Sequence, residues 1–243
     1  MSRAERVTRV ISVVVCELAV VATIIMLLLP AEKELDRLLL AFVTLLLVLV
    51  PEFVERIFRC RISLPVYLFA LFYAIGAMLG HCHKFYYLIS WWDKMLHVFG
   101  GVMFALLGLY LFERFSGADG KRVLFAAIFS LCFSMAVAVL WEFVEFGADR
   151  FLGMDMQDDT IITSITSYLL GESMGVTGTI TDIWQVTVNG QPLPGYIDIG
   201  LLDTMTDMLL ETLGALVVAG YHLMDRGRHP AITPREPERR KLG

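Results

Sequence analysis

The chain is poor in the residues that soluble proteins place on their surfaces. Only 19% of its 243 residues are charged, against 57% hydrophobic. A soluble domain is usually about a quarter charged and about 45–50% apolar. Its mean hydropathy is strongly positive. Cysteine is also scarce, with four residues. Cys16, Cys60, Cys82 and Cys132 form no C-x-x-C pair and fall at different depths of the chain, so no disulfide is expected. Several signatures are missing: the H-E-x-x-H of metalloproteases, the G-x-S-x-G nucleophile elbow, and a phosphate-cradling glycine loop. With a net charge of −5 and no nucleic-acid motif, nucleic-acid binding is not expected. There is no internal repeat.

What is present is long apolar runs, and they predict a multi-pass membrane protein. Crossing the hydrocarbon core takes about 20 helical residues. Six runs meet that need, at roughly 7–29, 35–54, 64–80, 93–112, 122–146 and 202–224. The first follows basic residues, as in a signal peptide. It is about 23 residues long and lacks a small-residue cleavage site, so it reads as a retained helix. The fold expected is all-α, one polytopic domain over 1–224: a six-helix transmembrane bundle with a long extracytoplasmic loop at 147–201. A loop of that length is unusual and often functional. Its 184–193 stretch alternates around Asn189-Gly190, a hairpin signal. The 163–170 stretch reads as a short interfacial or re-entrant helix. Pro51 kinks or ends the second run. Tyr86, Tyr87, Trp91 and Trp92 read as an aromatic belt at headgroup level. Arg114, Gly117, Asp119 and Gly120 mark a turn, and the Pro- and Arg-rich tail 225–243 reads as disordered.

Basic residues give the orientation. With six helices, fifteen of the twenty Lys and Arg fall on the side of both termini. The other side receives Lys33, Arg37, Lys84, Lys94 and Arg150. The positive-inside rule therefore puts both termini in the cytoplasm and the long loop outside.

Three of the runs carry paired ionisable residues. Asp93 and His97 are four apart, Glu142 and Glu145 three apart, Asp203 and Asp207 four apart. Such spacings share one helix face. At about 1.5 Å per residue, Arg114 lies roughly 31 Å from Asp93, Arg122 roughly 30 Å from Glu142, and Arg226 roughly 34 Å from Asp203. A hydrocarbon core of about 30 Å then puts all three acids at the outer boundary. Each face turns small inward: Gly101 and Gly108 follow His97; Ser130, Ser134 and Ala138 lead to Glu142; Glu211, Ala215 and Ala219 follow Asp207. Small residues let membrane helices approach closely, and polar residues in a bilayer face the bundle interior. The six side chains are expected in one shallow outer cavity.

Several carboxylates together raise each other's pKa, as does desolvation. Protons, Lys94, Arg150 or a cation must neutralise them. Asp93, His97, Glu142, Glu145 and Asp207 suit a hard or borderline divalent metal ion, and a metal-bound water at headgroup level could attack a lipid phosphate or ester. The expectation is a site that binds a divalent cation or a polar headgroup, and that recognises or acts on an envelope lipid or glycolipid. The pattern fits catalysis and binding alike. Two alternatives stay open: a proton- or ion-coupled transporter using Glu17 and Glu211 as relays, and a structural or partner-binding subunit whose acidic network only packs helices. His81-Cys82-His83 has soft-metal donor types, but adjacent residues seldom converge on one ion.

These motifs carry a resemblance. Trp92-Asp93-Lys94-Met95-Leu96-His97 with Gly100-Gly101, then Leu140-Trp141-Glu142-Phe143-Val144-Glu145, then Asp203-Thr204-Met205-Thr206-Asp207 and Leu213-Gly214-Ala215 resemble the YjdF-like group of predicted bacterial inner-membrane proteins. More distantly the order is similar to the VanZ-like proteins, which usually carry Gln where this chain has Glu145. The resemblance spans roughly 91–215. It implies a bacterial cytoplasmic membrane and work at the outer face of the envelope.

Overall fold

The computed structural model describes residues 1–30, 34–116 and 122–234. Lys33 and the turn at Gly117, Asp119, Gly120 and Lys121 lie outside the described residues, as does the tail from 235. The chain is mostly helical. Among the described residues, five stretches are long and apolar enough to cross a membrane: Arg3–Leu28, Leu35–Ile57, Leu64–Cys82, Trp92–Ser116 and Val123–Leu152. This is a helical membrane protein, as the composition requires. The sixth expected run forms a helix of 25 residues, Leu201–Asp225. It is not among the five, and its first half carries Asp203, Asp207 and Glu211.

The chain divides into two compact units. The first takes residues up to Ala138 and those from Leu210 onward. It opens with α1 (Arg3–Leu28), whose first turn is capped by the Ser2 hydroxyl accepting from the Glu5 amide at 3.0 Å. The second run is split into α2 (Leu35–Leu47) and α3 (Val50–Ile57). Pro51 sits in the first turn of α3, where its missing N–H costs nothing. Strand β1 (Cys60–Ile62) precedes α4 (Leu64–Cys82) and the short α5 (Phe85–Leu88). Then come α6 (Trp92–Ser116) and the first half of α7 (Arg122–Leu152). Leu27, Leu38, Ala41, Leu71 and Met78 form a shared apolar core between α1, α2 and α4.

A buried ion pair ties this unit together. Arg9 and Glu55 are each 3% exposed. Arg9 Nη1 donates to Glu55 Oε1 at 2.8 Å, and its guanidinium lies 4.4 Å over the Tyr67 ring. Arg9 Nη2 donates to the Ile62 carbonyl, and the Ile62 amide donates to Glu55 Oε1 at 2.7 Å. A sheet edge is closed beside it. Strand β8 (Ile232–Pro234) pairs antiparallel with β1, Ile62 opposite Ile232. The tail read as disordered from 225 is thus ordered through residue 234, because an unpaired edge at β1 offers it backbone partners.

The second unit, Val139–Leu209, holds the rest of α7, the loop and the start of α8 (Leu201–Asp225). The loop consists of short antiparallel ribbons. Strand β2 (Thr160–Ile162) pairs with β7 (Tyr196–Asp198), closing the loop where it begins and ends. Strand β3 (Ile165–Ser167) pairs with β4 (Gly178–Ile180). The expected hairpin is present: β5 (Val186–Val188) pairs with β6 (Gln191–Leu193) around Asn189 and Gly190, at φ 50° and 85°. Both positive values suit the tight primed turn of a two-residue hairpin. The short helix expected over 163–170 is replaced by β3 and one 3-10 turn, Tyr168–Leu170. The β-branched Ile165 and Thr166 find a partner strand, which outweighs local helix preference.

Candidate functional site

The faces read from sequence are the buried ones. On α6, His97, Gly100, Gly101, Ala105 and Gly108 are buried. On α7 the buried residues include Ser130, Ser134, Ala138, Glu142 and Glu145, with Ala126, Ala127 and Ala148. On α8 they are Asp203, Asp207, Glu211, Gly214, Ala215, Val218, Ala219 and His222. The reason for the small residues is visible in the first unit. A Cβ on Gly101 would lie 1.9 Å from the Glu211 carbonyl oxygen, and one on Gly214 would lie 2.2 Å from the Val98 carbonyl oxygen. Helices α6 and α8 therefore touch backbone to backbone. On the other side of α6, the Ser134 hydroxyl donates to the Gly101 carbonyl at 3.2 Å. Ala105, Ala215 and Val218 form the apolar core of this junction.

The first unit holds Asp93 and His97. His97 Nε2 is 3.7 Å from Asp93 Oδ1, and the Lys94 ammonium is 3.1 Å from Asp93 Oδ2. His97 is 8% exposed, whereas Asp93 stays half-buried. One turn deeper, Gly100 leaves room for two more groups. Its absent Cβ would meet the Tyr73 hydroxyl at 2.9 Å and the Glu211 carboxyl carbon at 3.7 Å. Glu211 is 4% exposed. Trp92 corrects the aromatic belt: it is 6% exposed, packs on Phe72 and Phe85, and donates its indole N–H to the Gly76 carbonyl at 3.1 Å. Trp91 and Tyr87 are exposed, as a belt requires.

The second unit holds Glu142, Glu145, Asp203 and Asp207, all buried, Asp207 at 1% exposure. Sequence reasoning missed the residue that organises them. Gln157 donates from Nε2 to the Glu142 carboxylate at 3.4 Å and to the Thr204 hydroxyl at 2.6 Å. The next residue's amide, Asp158, donates to Asp203 Oδ2 at 3.1 Å. Asp149 holds this turn by accepting from the Met156 and Gln157 amides at 2.6 and 2.9 Å. Gln157 belongs to no spacing pattern, so no sequence signal pointed to it. Glu145 accepts the Trp141 indole N–H at 2.7 Å. Nearby, Asp155 has its carboxyl pushed above the ordinary aspartate value, first by desolvation, then by the charges of Asp159, Asp149 and Asp203.

This second unit is strongly acidic. Residues 139–209 contain eleven Asp and Glu, no Lys, no His and a single Arg, Arg150, which is exposed.

The other motifs disperse. His81 Nε2 is 3.1 Å from Asp36, His83 Nε2 is 2.9 Å from the Thr23 hydroxyl, and the Cys82 thiol faces the Arg37 carbonyl at 3.6 Å. Three adjacent donors serve three separate partners. The four cysteines are free. Glu17 is half-buried on α1, and its Oε1 is buried with no hydrogen-bond partner among the described residues.

Comparison with known proteins adds one finding. No curated protein and no solved structure matches the chain. Residues 11–228 match the family described as "Predicted membrane protein (DUF2238)", which is nearly the whole described chain. The protein belongs to that family of membrane proteins.

Proposed function

We propose that this is a bacterial inner-membrane protein, both termini cytoplasmic, whose outer-facing carboxylates and His97 bind a divalent cation. The cation-bearing site would recognise or act on the phosphate-bearing headgroup of an envelope lipid. One observation carries the reading: four carboxylates of the second unit, Glu142, Glu145, Asp203 and Asp207, are buried. Burying a carboxylate costs several kcal/mol unless opposite charge compensates it. A divalent ion supplies two positive charges at one point.

The donor types fit. Carboxylate oxygens suit hard cations such as calcium, magnesium or manganese, and one imidazole extends the range to zinc. Asp93, His97, Glu142, Glu145 and Asp207 would hold the ion. When bound, it would polarise a phosphate or ester oxygen or acidify a water. Gln157 would fix the Glu142 carboxylate, and Lys94 would hold the Asp93 carboxylate in position. The likeness to YjdF-like and VanZ-like sequences supports work at the outer face, as does the distribution of Lys and Arg.

The test is metal content of the purified protein by elemental analysis, for wild type and for Asp93→Ala with Glu142→Ala. We expect about one divalent ion per chain in wild type and a loss of most of it in the double variant. Absence of stoichiometric metal from wild type would end the cation reading. A structural network is the second reading, favoured by the Gln157 bridge between Glu142 and Thr204. It predicts that Glu142→Gln and Asp207→Asn lower thermal stability in metal-free protein by as much as in metal-loaded protein.

A further inference from the structure

The far end of the α6–α8 junction holds a cavity that the acidic site does not use. It lies within the first unit, between the last turns of α6 and α8 and the chain leading into β8. Tyr110, Glu113, Tyr221, His222, Asp225 and Ile232 are among the groups that line it. Its volume is about 50 Å³. A water needs roughly 10–15 Å³ of such space, so the cavity has room for a few non-hydrogen atoms and none for a lipid.

The polar groups on its wall are not evenly satisfied. Asp225 accepts from both the amide and Nδ1 of His229, each at 2.7 Å. The Tyr110 hydroxyl donates to the Phe58 carbonyl at 2.9 Å. His222 differs. It is 8% exposed, and its Nε2 is buried with no hydrogen-bond partner among the described residues. Its ring lies close to Gly227, where an added Cβ would come within 3.1 Å of Cε1. Leaving a buried polar atom unmet costs about 1–3 kcal/mol. A ligand in the cavity would recover that cost.

The wall chooses the ligand's chemistry. Glu113 and Asp225 are acids, and His229 is the one group that pairs with either in the contacts above. An anion is disfavoured. A metal ion is disfavoured too: among the described residues, no three ligand atoms of Glu113, His222, Asp225 and His229 come within 4.8 Å of one another. The groups on offer are acceptors, the Glu113 carboxylate and an imidazole lone pair, with two tyrosine rings beside them. The complement is a small positive group carrying several N–H donors.

We propose that this cavity binds a small primary amine in its ammonium form, with N–H groups donated to Glu113 and His222 Nε2. Tyr110 and Tyr221 are the aromatic residues of the lining, available to the cation and its alkyl part. The site is independent of the acidic cluster, so it stands or falls without the cation reading above.

The test is titration of the detergent-purified full chain with methylammonium, followed by calorimetry and thermal shift. Tetramethylammonium, which has the charge without N–H donors, is the comparison. Saturable binding of methylammonium, with tetramethylammonium at least about tenfold weaker, is expected. Glu113→Gln and His222→Phe should each weaken methylammonium binding by about tenfold or more. His222→Phe keeps the ring volume and removes the unmet nitrogen, so it should fold at least as stably as wild type. No saturable response in wild type would overturn the proposal. Equal affinity for the two ammonium ions, or wild-type affinity in both variants, would overturn it as well.

Discussion

The crossing of α6 and α8 at Gly101 makes the most exacting prediction. An alanine there adds one methyl group, 1.9 Å from the Glu211 carbonyl oxygen and 2.7 Å from its carbon. Both atoms are backbone, so no side chain can swing aside. A relaxed contact needs roughly 3.5 Å, so the helices must part by roughly 1.5 Å. That separation also loosens Gly214 from the Val98 carbonyl and the Ser134 bond to Gly101. Overpacking of this kind costs about 1–3 kcal/mol, and rigid backbone on both sides argues for about 2–3. For a chain of this size, 1 kcal/mol moves Tm by roughly 2–4 °C, so Gly101→Ala should lose roughly 4–12 °C in thermal denaturation in one fixed detergent. The control lies on α8, the helix that Gly101 crosses. A Cβ on Gly220 meets nothing within 4 Å. Replacing a mid-helix glycine there should stabilise by about 0.5–1 kcal/mol. The two glycine-to-alanine changes are thus expected to move Tm in opposite directions. If both raise it, or Gly101→Ala leaves it unchanged, the close crossing described here is wrong.

Two further substitutions test charge. Arg9→Ala leaves the buried Glu55 carboxylate without its guanidinium; the loss should be about 3–5 kcal/mol, read in the same denaturation assay. Arg9→Ala combined with Glu55→Leu should recover part of that loss, and a double variant worse than the single would contradict the ion-pair account. Asp155→Asn tests pH. Because the folded protein holds this carboxyl above 3.8, its protonated form favours folding, fully below 3.8 and less as pH rises through the raised value. Asp155→Asn should therefore raise Tm at pH 7 and not at pH 3.5; Asp155 keeps much of its surface in water, so the gain is small. A gain that grows on acidification would reverse the assigned sign.

How much was legible in the sequence differs between the helices and what joins them. Apolar length and helical spacing set the spanning segments, the inward faces of α6, α7 and α8, and the burial of His97, Glu142, Glu145, Asp203 and Asp207. In a bilayer those features are local, since each helix satisfies its own backbone and an ionisable residue has to leave the lipid face. The Asn189-Gly190 hairpin was legible for the same reason, because its turn chemistry is carried by two residues. Tertiary structure alone decided the rest. Strand β8 forms because β1 offers an edge some 170 positions earlier in the chain. Trp92 leaves the belt because the Gly76 carbonyl is open to it. Gln157 reaches Glu142 and Thr204 because Asp149 turns its backbone. Each of these depends on a partner far away in sequence, and no spacing pattern encodes which distant group will be left with a hydrogen bond to make.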